Sequence, residues 1–261
     1  MTQSPKLTGL YKPGTSVKES FGICIFGHGG SGKTTLAGTM PGHGLLVDVP
    51  QIEGGTFVLQ QHADRIDIKP VEEWDEIDEV YRVLSVQDPS DPDRYRWVAI
   101  DSVTAFTELA KRKTVKERGL TMDPSQIGLQ EWGKIGNLVG ELVYRFRKLD
   151  IHTIWLAQEH KFGQDHEILG PNTSPAAREK LLPSMMMVGH LFVADVEGKP
   201  ERRLRVGPHA DFDTKCRTLP GVDMPAIIRN PNLGQILPYM LGRGARPDEA
   251  ADGPAGFFIP A

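Results

Sequence analysis

The feature that most constrains this chain is a glycine-rich segment at residues 27–35, with an apolar run before it and a short helical stretch after it. Its sequence, GHGGSGKTT, fits the template G-x-x-x-x-G-K-[ST] at every fixed position. The apolar run at residues 21–26 has the composition of a strand that is buried on both faces of a parallel sheet. A helix is predicted over residues 33–40, because a Pro-Gly pair follows and breaks it. The sequence therefore predicts a strand, a phosphate-binding loop and a helix in succession.

Each residue type in this segment has a physical role in holding phosphate groups. Glycines let the backbone turn its N–H groups inward around anionic oxygens, and the following helix presents its positive amino-terminal end to the same anion. Lys33 is predicted to act catalytically as a point charge on the β- and γ-phosphates of ATP, and the Thr34 hydroxyl is predicted to bind Mg²⁺. We predict nucleotide contacts from Gly27, His28, Gly29, Gly30, Ser31, Gly32, Lys33, Thr34 and Thr35.

The same segment also contains the fingerprint G-x-G-x-x-G, which indicates dinucleotide binding as an alternative. Asp48, at the end of the next predicted strand, stands where an acid could bind a ribose. However, a Lys-Thr pair directly after the last glycine has no role in dinucleotide binding, and the predicted helix is short for a crossover. A second phosphate-site motif downstream also favours the nucleoside triphosphate.

That second motif is the run WVAID at residues 97–101, four apolar residues that end in Asp101. A buried strand holds such a carboxylate rigidly at the carboxyl edge of the sheet, where it can orient Mg²⁺ through the water shell of the ion. We therefore predict that Thr34 and Asp101 form the metal site.

The rest of the chain alternates strands with helices, which is typical of βαβ units and predicts an α/β fold with a mostly parallel sheet flanked by helices. Further strands are predicted at residues 44–48, 65–69 and 151–157, and helices at 71–86, 103–117 and 128–148. Residues 162–187 are predicted to be irregular, and residues 190–196 and 202–206 to form an antiparallel hairpin. We expect an arm at residues 1–20, one domain at 21–241 and a flexible tail at 242–261.

Composition excludes several classes of protein. The 261 residues carry a net charge of −4, so nucleic acid could be bound only through a local basic surface. No stretch approaches 18 apolar residues, which predicts a soluble, cytoplasmic protein without a membrane span. Cys24 and Cys216 are far apart, so neither a disulfide framework nor a zinc site is indicated.

The chain resembles the RecA-like P-loop ATPases, and it is most similar to small phage-encoded nucleotide-binding proteins with a single RecA core. Some of these act as single-strand annealing proteins. The resemblance lies in four segments, at residues 26–36, 48–55, 99–103 and 155–160. It implies that Glu53 activates the attacking water, with Asp48 as the competing carboxylate. It also implies that Gln158 senses the γ-phosphate.

Two further implications concern partners. Residues 161–184 correspond to a DNA-contacting loop in the family, and they hold Lys161, Arg178 and Lys180 as well as three acids. Lys215 and Arg217 resemble a pair of cations that reaches the γ-phosphate of a neighbouring subunit, which would make activity depend on a homo-oligomeric ring or filament. A substrate lid or a docking loop for the first segment, and ordinary surface charge for the second, remain alternatives.

The leading hypothesis is therefore a Mg-ATP-dependent ATPase that assembles head to tail and acts on single-stranded DNA in recombination or annealing. A small-molecule P-loop kinase is a second hypothesis, and a nucleotide-switched adaptor such as a helicase loader is a third.

Overall fold

A computed structural model describes residues 20–119, 127–163 and 166–250, and within them ten strands form a single sheet. The strands are β1 (Gly22–Gly27), β2 (Gly44–Asp48), β3 (Ile66–Pro70), β4 (Trp97–Asp101), β5 (His152–Phe162), β6 (Ile168–Pro171), β7 (Met187–Val196), β8 (Lys199–Arg205), β9 (Lys215–Cys216) and β10 (Ile227–Arg229). The α-helices are α1 (Lys33–Ala37), α2 (Ile77–Ser85), α3 (Val103–Glu117), α4 (Leu129–Arg147), α5 (Pro175–Ser184) and α6 (Leu233–Met240). Two 3₁₀ helices, η1 (Thr56–His62) and η2 (Trp74–Glu76), lie between them.

The order of the strands across the sheet is β10-β8-β7-β1-β5-β4-β2-β3, with β6 added to β5 and β9 added to β7. The strands from β7 to β3 in this order are parallel, whereas β8, β9 and β10 are antiparallel additions on the β7 side. This confirms the predicted α/β fold with a mostly parallel sheet and carboxyl-terminal antiparallel strands. Strand β5 lies between β1 and β4, so the carboxyl ends of these three strands meet at one edge.

Both faces of the sheet are buried, as the unbroken apolar runs of the strands predict. In β1, Cys24 and Phe26 belong to the apolar cluster beneath α3 and α4, whereas Ile23 and Ile25 belong to the cluster beneath α1 and α6. Alternate side chains of a strand point to opposite faces, so one run of apolar residues contributes to both clusters.

The prediction that residues 162–187 are irregular is wrong. Strand β5 continues to Phe162, β6 returns antiparallel to it, and α5 follows. The side chain of Ser174 accepts a hydrogen bond from the Ala177 N–H at the start of α5, and Pro175 occupies the first helical position. The Ser-Pro pair was thus a helix-start signal that the prediction overlooked.

The predicted hairpin is confirmed, with β7 and β8 paired antiparallel around a turn at Glu197 and Gly198, both of positive φ. Helix α1 ends at Ala37, earlier than predicted, and the helix predicted over residues 71–86 is η2 followed by α2. Of the arm at residues 1–20, only Ser20 lies within the described residues. The tail predicted at 242–261 is described as far as Ala250, which is buried and hydrogen-bonded to Ile227 of β10. That part of the chain therefore packs against the sheet.

None of the helices within the described residues is long and apolar enough to cross a lipid bilayer. Cys24 is a buried free thiol, and its burial raises its pKa, so it is a packing residue of the core.

Candidate functional site

The glycine-rich segment forms a loop at the carboxyl end of β1 that opens into a cavity of about 330 Å³. Gly30 and Gly32 have φ values of 81° and 96°, in the left-handed region that favours glycine. A Cβ atom added at Gly30 would meet no heavy atom within 4 Å, so the backbone here faces open space. The loop therefore leaves room for a ligand directly against its main chain.

The side chain of Lys33 is buried and folds back across the loop. Its ammonium group donates hydrogen bonds to the carbonyl oxygens of Gly27 at 2.9 Å and His28 at 3.0 Å. Burial lowers the pKa of Lys33, and the neighbouring carboxylates of Glu53 and Asp101 act in the opposite direction. Lys33 is thus a positioned cation at the bottom of the cavity.

Gln158 joins Lys33 to Glu53. Its Oε1 accepts a hydrogen bond from the Lys33 ammonium at 3.3 Å, and its Nε2 donates one to Glu53 Oε1 at 3.1 Å. Strand β5 brings it there, because β5 pairs parallel with β1 and places Gln158 directly opposite Gly27. The adjacency of β5 and β1 was not predictable from sequence, but a polar residue directly after the apolar run at residues 151–157 was.

Thr34 and Asp101 are in direct contact, because the Thr34 hydroxyl donates a hydrogen bond to Asp101 Oδ2 at 2.7 Å. Burial raises the pKa of Asp101, against a smaller opposing effect of the Thr34 hydrogen bond. Asp48 lies opposite Asp101 in the sheet, and burial followed by repulsion from Asp101 raises its pKa to about 6. A bound cation would relieve this crowding of negative charge.

These oxygens fit Mg²⁺, which prefers hard oxygen ligands and is commonly held by one or two protein groups together with phosphates and water. The described residues contain no cluster of three or more His, Cys, Asp or Glu side chains that could hold a metal ion unaided. Thr34 and Asp101 would therefore share the ion with the phosphates of a nucleotide.

The structure brings together most of the predicted site residues. Those that line the cavity are Gly30, Gly32, Lys33, Thr34, Thr35, Asp48, Glu53, Asp101 and Gln158. Five lining residues were not among the predicted site residues. They are Gly54, Gly55, Phe57, Val58 and Arg202. An exposed phenylalanine or an arginine in a strand carries no local signal for a phosphate site, so no motif could have indicated Phe57 or Arg202.

Lys215 and Arg217 do not line this cavity. Strand β9 pairs with the first residues of β7, which lie opposite the first half of β1, so the two cations are distant from the end of β1. The Lys215 ammonium donates a hydrogen bond to the Leu182 carbonyl oxygen, and Arg217 is exposed.

The cations predicted to contact DNA have partners within the chain. Lys161 pairs with Glu167 at 2.7 Å, and Lys180 donates a hydrogen bond to Asn137 at 3.0 Å. Arg178 pairs with Asp213, and its guanidinium lies 4.1 Å from the ring centre of Phe162. Of the three acids in this segment, Asp165 lies outside the described residues.

A strand, a phosphate loop with its lysine, and a buried acid at the end of the β4 strand together define a P-loop NTPase, a class that binds a nucleoside triphosphate and usually Mg²⁺. The sequence matches the protein family described as AAA domain over residues 20–218, and the chain belongs to this family. A comparison with curated proteins gives no match.

Proposed function

We propose that this protein binds Mg-ATP and hydrolyses it to ADP and phosphate. The observation that carries the proposal is the continuous set of contacts from Lys33 through Gln158 to Glu53, beside the Thr34–Asp101 pair. A phosphate-binding cation, a metal-binding pair and a carboxylate thus line one cavity. ATP hydrolysis requires these three groups in one place.

In this proposal the loop backbone and Lys33 hold the phosphate chain, and Thr34 and Asp101 hold Mg²⁺. The bound ion would neutralise part of the charge on the phosphate oxygens. Glu53 accepts a proton from a water molecule whose oxygen forms a bond to the γ-phosphorus. The bond from the γ-phosphorus to the bridging oxygen breaks, and ADP leaves with the electron pair of that bond.

The contacts favour Glu53 over Asp48 as the carboxylate that takes this proton. Glu53 is only partly buried and is held by the Gln158 amide, next to the end of the Lys33 side chain. Asp48 is 4% exposed and lies beside Asp101, on the side of the cavity assigned to the metal. A base must reach a water molecule in line with the γ-phosphate, and Glu53 is the better placed of the two.

We further propose that the protein acts on single-stranded DNA in recombination or annealing of the phage type. The support is the connection between the cavity and the β5–β6 hairpin. The Gln158 main chain donates a hydrogen bond to Thr104 Oγ1 at 3.0 Å and accepts one from the Asn172 N–H, directly after β6, at 2.7 Å. A shift of Gln158 on nucleotide binding would therefore move the base of this hairpin.

The proposal includes a head-to-tail homo-oligomer in which Arg217 reaches the nucleotide of a neighbouring subunit. Its support is that Arg217 is exposed and distant from the cavity of its own chain. A guanidinium supplied in this way would stabilise charge on the transferring phosphoryl group.

The test is steady-state ATP hydrolysis against protein concentration, with and without single-stranded DNA. The variants are Lys33→Ala and Arg217→Ala, with Arg82→Ala as a control because Arg82 is an exposed arginine of α2. We expect turnover per subunit to rise with protein concentration and with DNA. Turnover should be lost in Lys33→Ala and Arg217→Ala and retained in Arg82→Ala. Turnover that is independent of DNA and of Arg217 would refute the DNA-dependent oligomer and direct attention to phosphate acceptors. Absence of turnover in the unaltered protein would refute hydrolysis itself.

A further inference from the structure

Arg202 is a second cation on the wall of the nucleotide cavity, contributed by strand β8. Its position is defined by the last glycine of the phosphate loop. A Cβ atom added at Gly32 would lie 2.6 Å from Arg202 Nε and 3.2 Å from its Cδ. The guanidinium therefore lies directly over the loop, at the point where Gly32 exposes its backbone.

The geometry of the β7–β8 hairpin explains this position. Strand β7 runs parallel to β1 but extends beyond it, from the Phe26–His190 pairing on to Val196, so that β8 returns over the loop. Arg202 and Leu204 are two residues apart and share one face of the strand. Leu204 packs in the same apolar cluster as Leu36 of α1, which places that face of β8 on the side of α1.

The charge of Arg202 is not neutralised by any described side chain. The carboxylate of Glu201, which precedes Arg202 in β8, pairs instead with Arg203 at 2.8 Å and with Arg229 at 3.1 Å. Within the part of the chain that the structure describes, Arg202 is an exposed arginine without an ion pair. Such a group is available to a ligand.

The balance of charge in the cavity indicates what kind of ligand it would be. Lys33 is already hydrogen-bonded to two carbonyl oxygens and Gln158, and three carboxylates, Asp48, Glu53 and Asp101, line the same space. A polyphosphate chain brings several further negative charges into this space. A guanidinium is well suited to bind phosphate oxygens, because it presents several donors in a planar fork.

We propose that Arg202 binds phosphate oxygens of the nucleotide held by the same chain, so that the β7–β8 hairpin forms one wall of the phosphate site. The inference rests on the proposed function, because it assumes that the cavity holds a nucleoside triphosphate. The inference adds to the proposed function a contact between Arg202 and the nucleotide within one subunit. Unlike the contact assigned to Arg217, this one requires no neighbour.

The test is calorimetric titration of the protein with ATP in the presence of Mg²⁺, using Arg202→Gln and Arg202→Lys. Lys199→Gln is the matched control, because Lys199 is an exposed cation of the same strand that does not line the cavity. We expect Arg202→Gln to weaken ATP binding by about 10- to 100-fold, the range for loss of a charge-assisted contact. Arg202→Lys should recover part of the loss, and Lys199→Gln should bind as the unaltered protein does.

A second measurement separates this role from an effect on folding. Thermal unfolding without nucleotide should be unchanged in Arg202→Gln, because the side chain is exposed, whereas the stabilisation by added Mg-ATP should shrink. If the unaltered protein binds ATP, Lys33→Ala does not, and Arg202→Gln binds normally, the role of Arg202 is refuted while the nucleotide site stands. If the unaltered protein binds no ATP, the proposed function fails first.

Discussion

Replacing Gln158 by alanine would remove the side chain that joins the phosphate-loop lysine, Lys33, to the proposed base, Glu53. Two hydrogen bonds are lost, one of 3.3 Å from the Lys33 ammonium and one of 3.1 Å to Glu53. Lys33 keeps its two shorter bonds to the loop carbonyls, so its position changes little. Glu53 loses the amide that fixes its carboxylate.

The expected magnitude follows from these contacts. A hydrogen bond to a charged group contributes about 1.5–3 kcal/mol, and the lower value applies because Gln158 is only partly buried. A loss of ~1.4 kcal/mol in the transition state corresponds to about a tenfold fall in kcat. The long bond to Lys33 is worth less, so the Kd for ATP should rise by no more than about fivefold, or ~1 kcal/mol.

The assay is single-turnover hydrolysis with protein in excess over ATP, which measures the chemical step apart from binding. Gln61→Ala is the control, because Gln61 is an exposed residue of η1 that does not line the cavity. A Gln158→Ala variant with normal ATP binding and an unchanged single-turnover rate would show that the amide does not position Glu53. The rate of hydrolysis would then not depend on the hydrogen bonds from Lys33 through Gln158 to Glu53.

Two further predictions concern stability. The pKa of Asp48 is raised to about 6, so the folded protein binds a proton at this carboxylate more tightly than the unfolded chain does. The free energy of unfolding should therefore fall as the pH rises from about 4 to 6, by at most ~3 kcal/mol. Urea titrations without Mg²⁺ should show that the free energy of unfolding depends less on pH in Asp48→Asn than in the unaltered protein. The same pH dependence in both proteins would contradict the raised pKa of Asp48. In the phosphate loop, Gly27→Ala should destabilise the protein by about 3 kcal/mol or more, because its Cβ would collide with the Leu191 carbonyl oxygen. Gly30→Ala, which meets no atom, should cost only about 1–2 kcal/mol of backbone strain, and equal losses would refute the steric argument.

Much of the site could be predicted because its signals are contiguous in sequence. A phosphate loop is built from neighbouring backbone amides, so residues 27–35 contain nearly all the information for their own conformation. The position of Asp101 could also be predicted, since an acid that follows four apolar residues is expected at the end of a buried strand. The assignment of the chain to the P-loop class therefore needed no tertiary contacts.

Predictions failed where local signals were weak or in competition. Helix α5 has a Ser-Pro start, but Pro183 lies inside it and its polar and apolar residues do not separate cleanly onto two faces. Its stability comes from packing, since Ala177 and Leu181 are buried against the main apolar cluster. A prediction from periodicity alone could not detect this helix.

Short local motifs were enough to indicate the class of ligand, the phosphate loop and the acid proposed to bind Mg²⁺, because each depends on residues adjacent in the chain. The tertiary structure alone decided that β5 lies between β1 and β4, which brings Gln158 between Lys33 and Glu53. It also decided that the β7–β8 hairpin carries Arg202 over Gly32. Strand order and hairpin placement depend on the summed burial of distant apolar side chains, and no short stretch of sequence contains that sum.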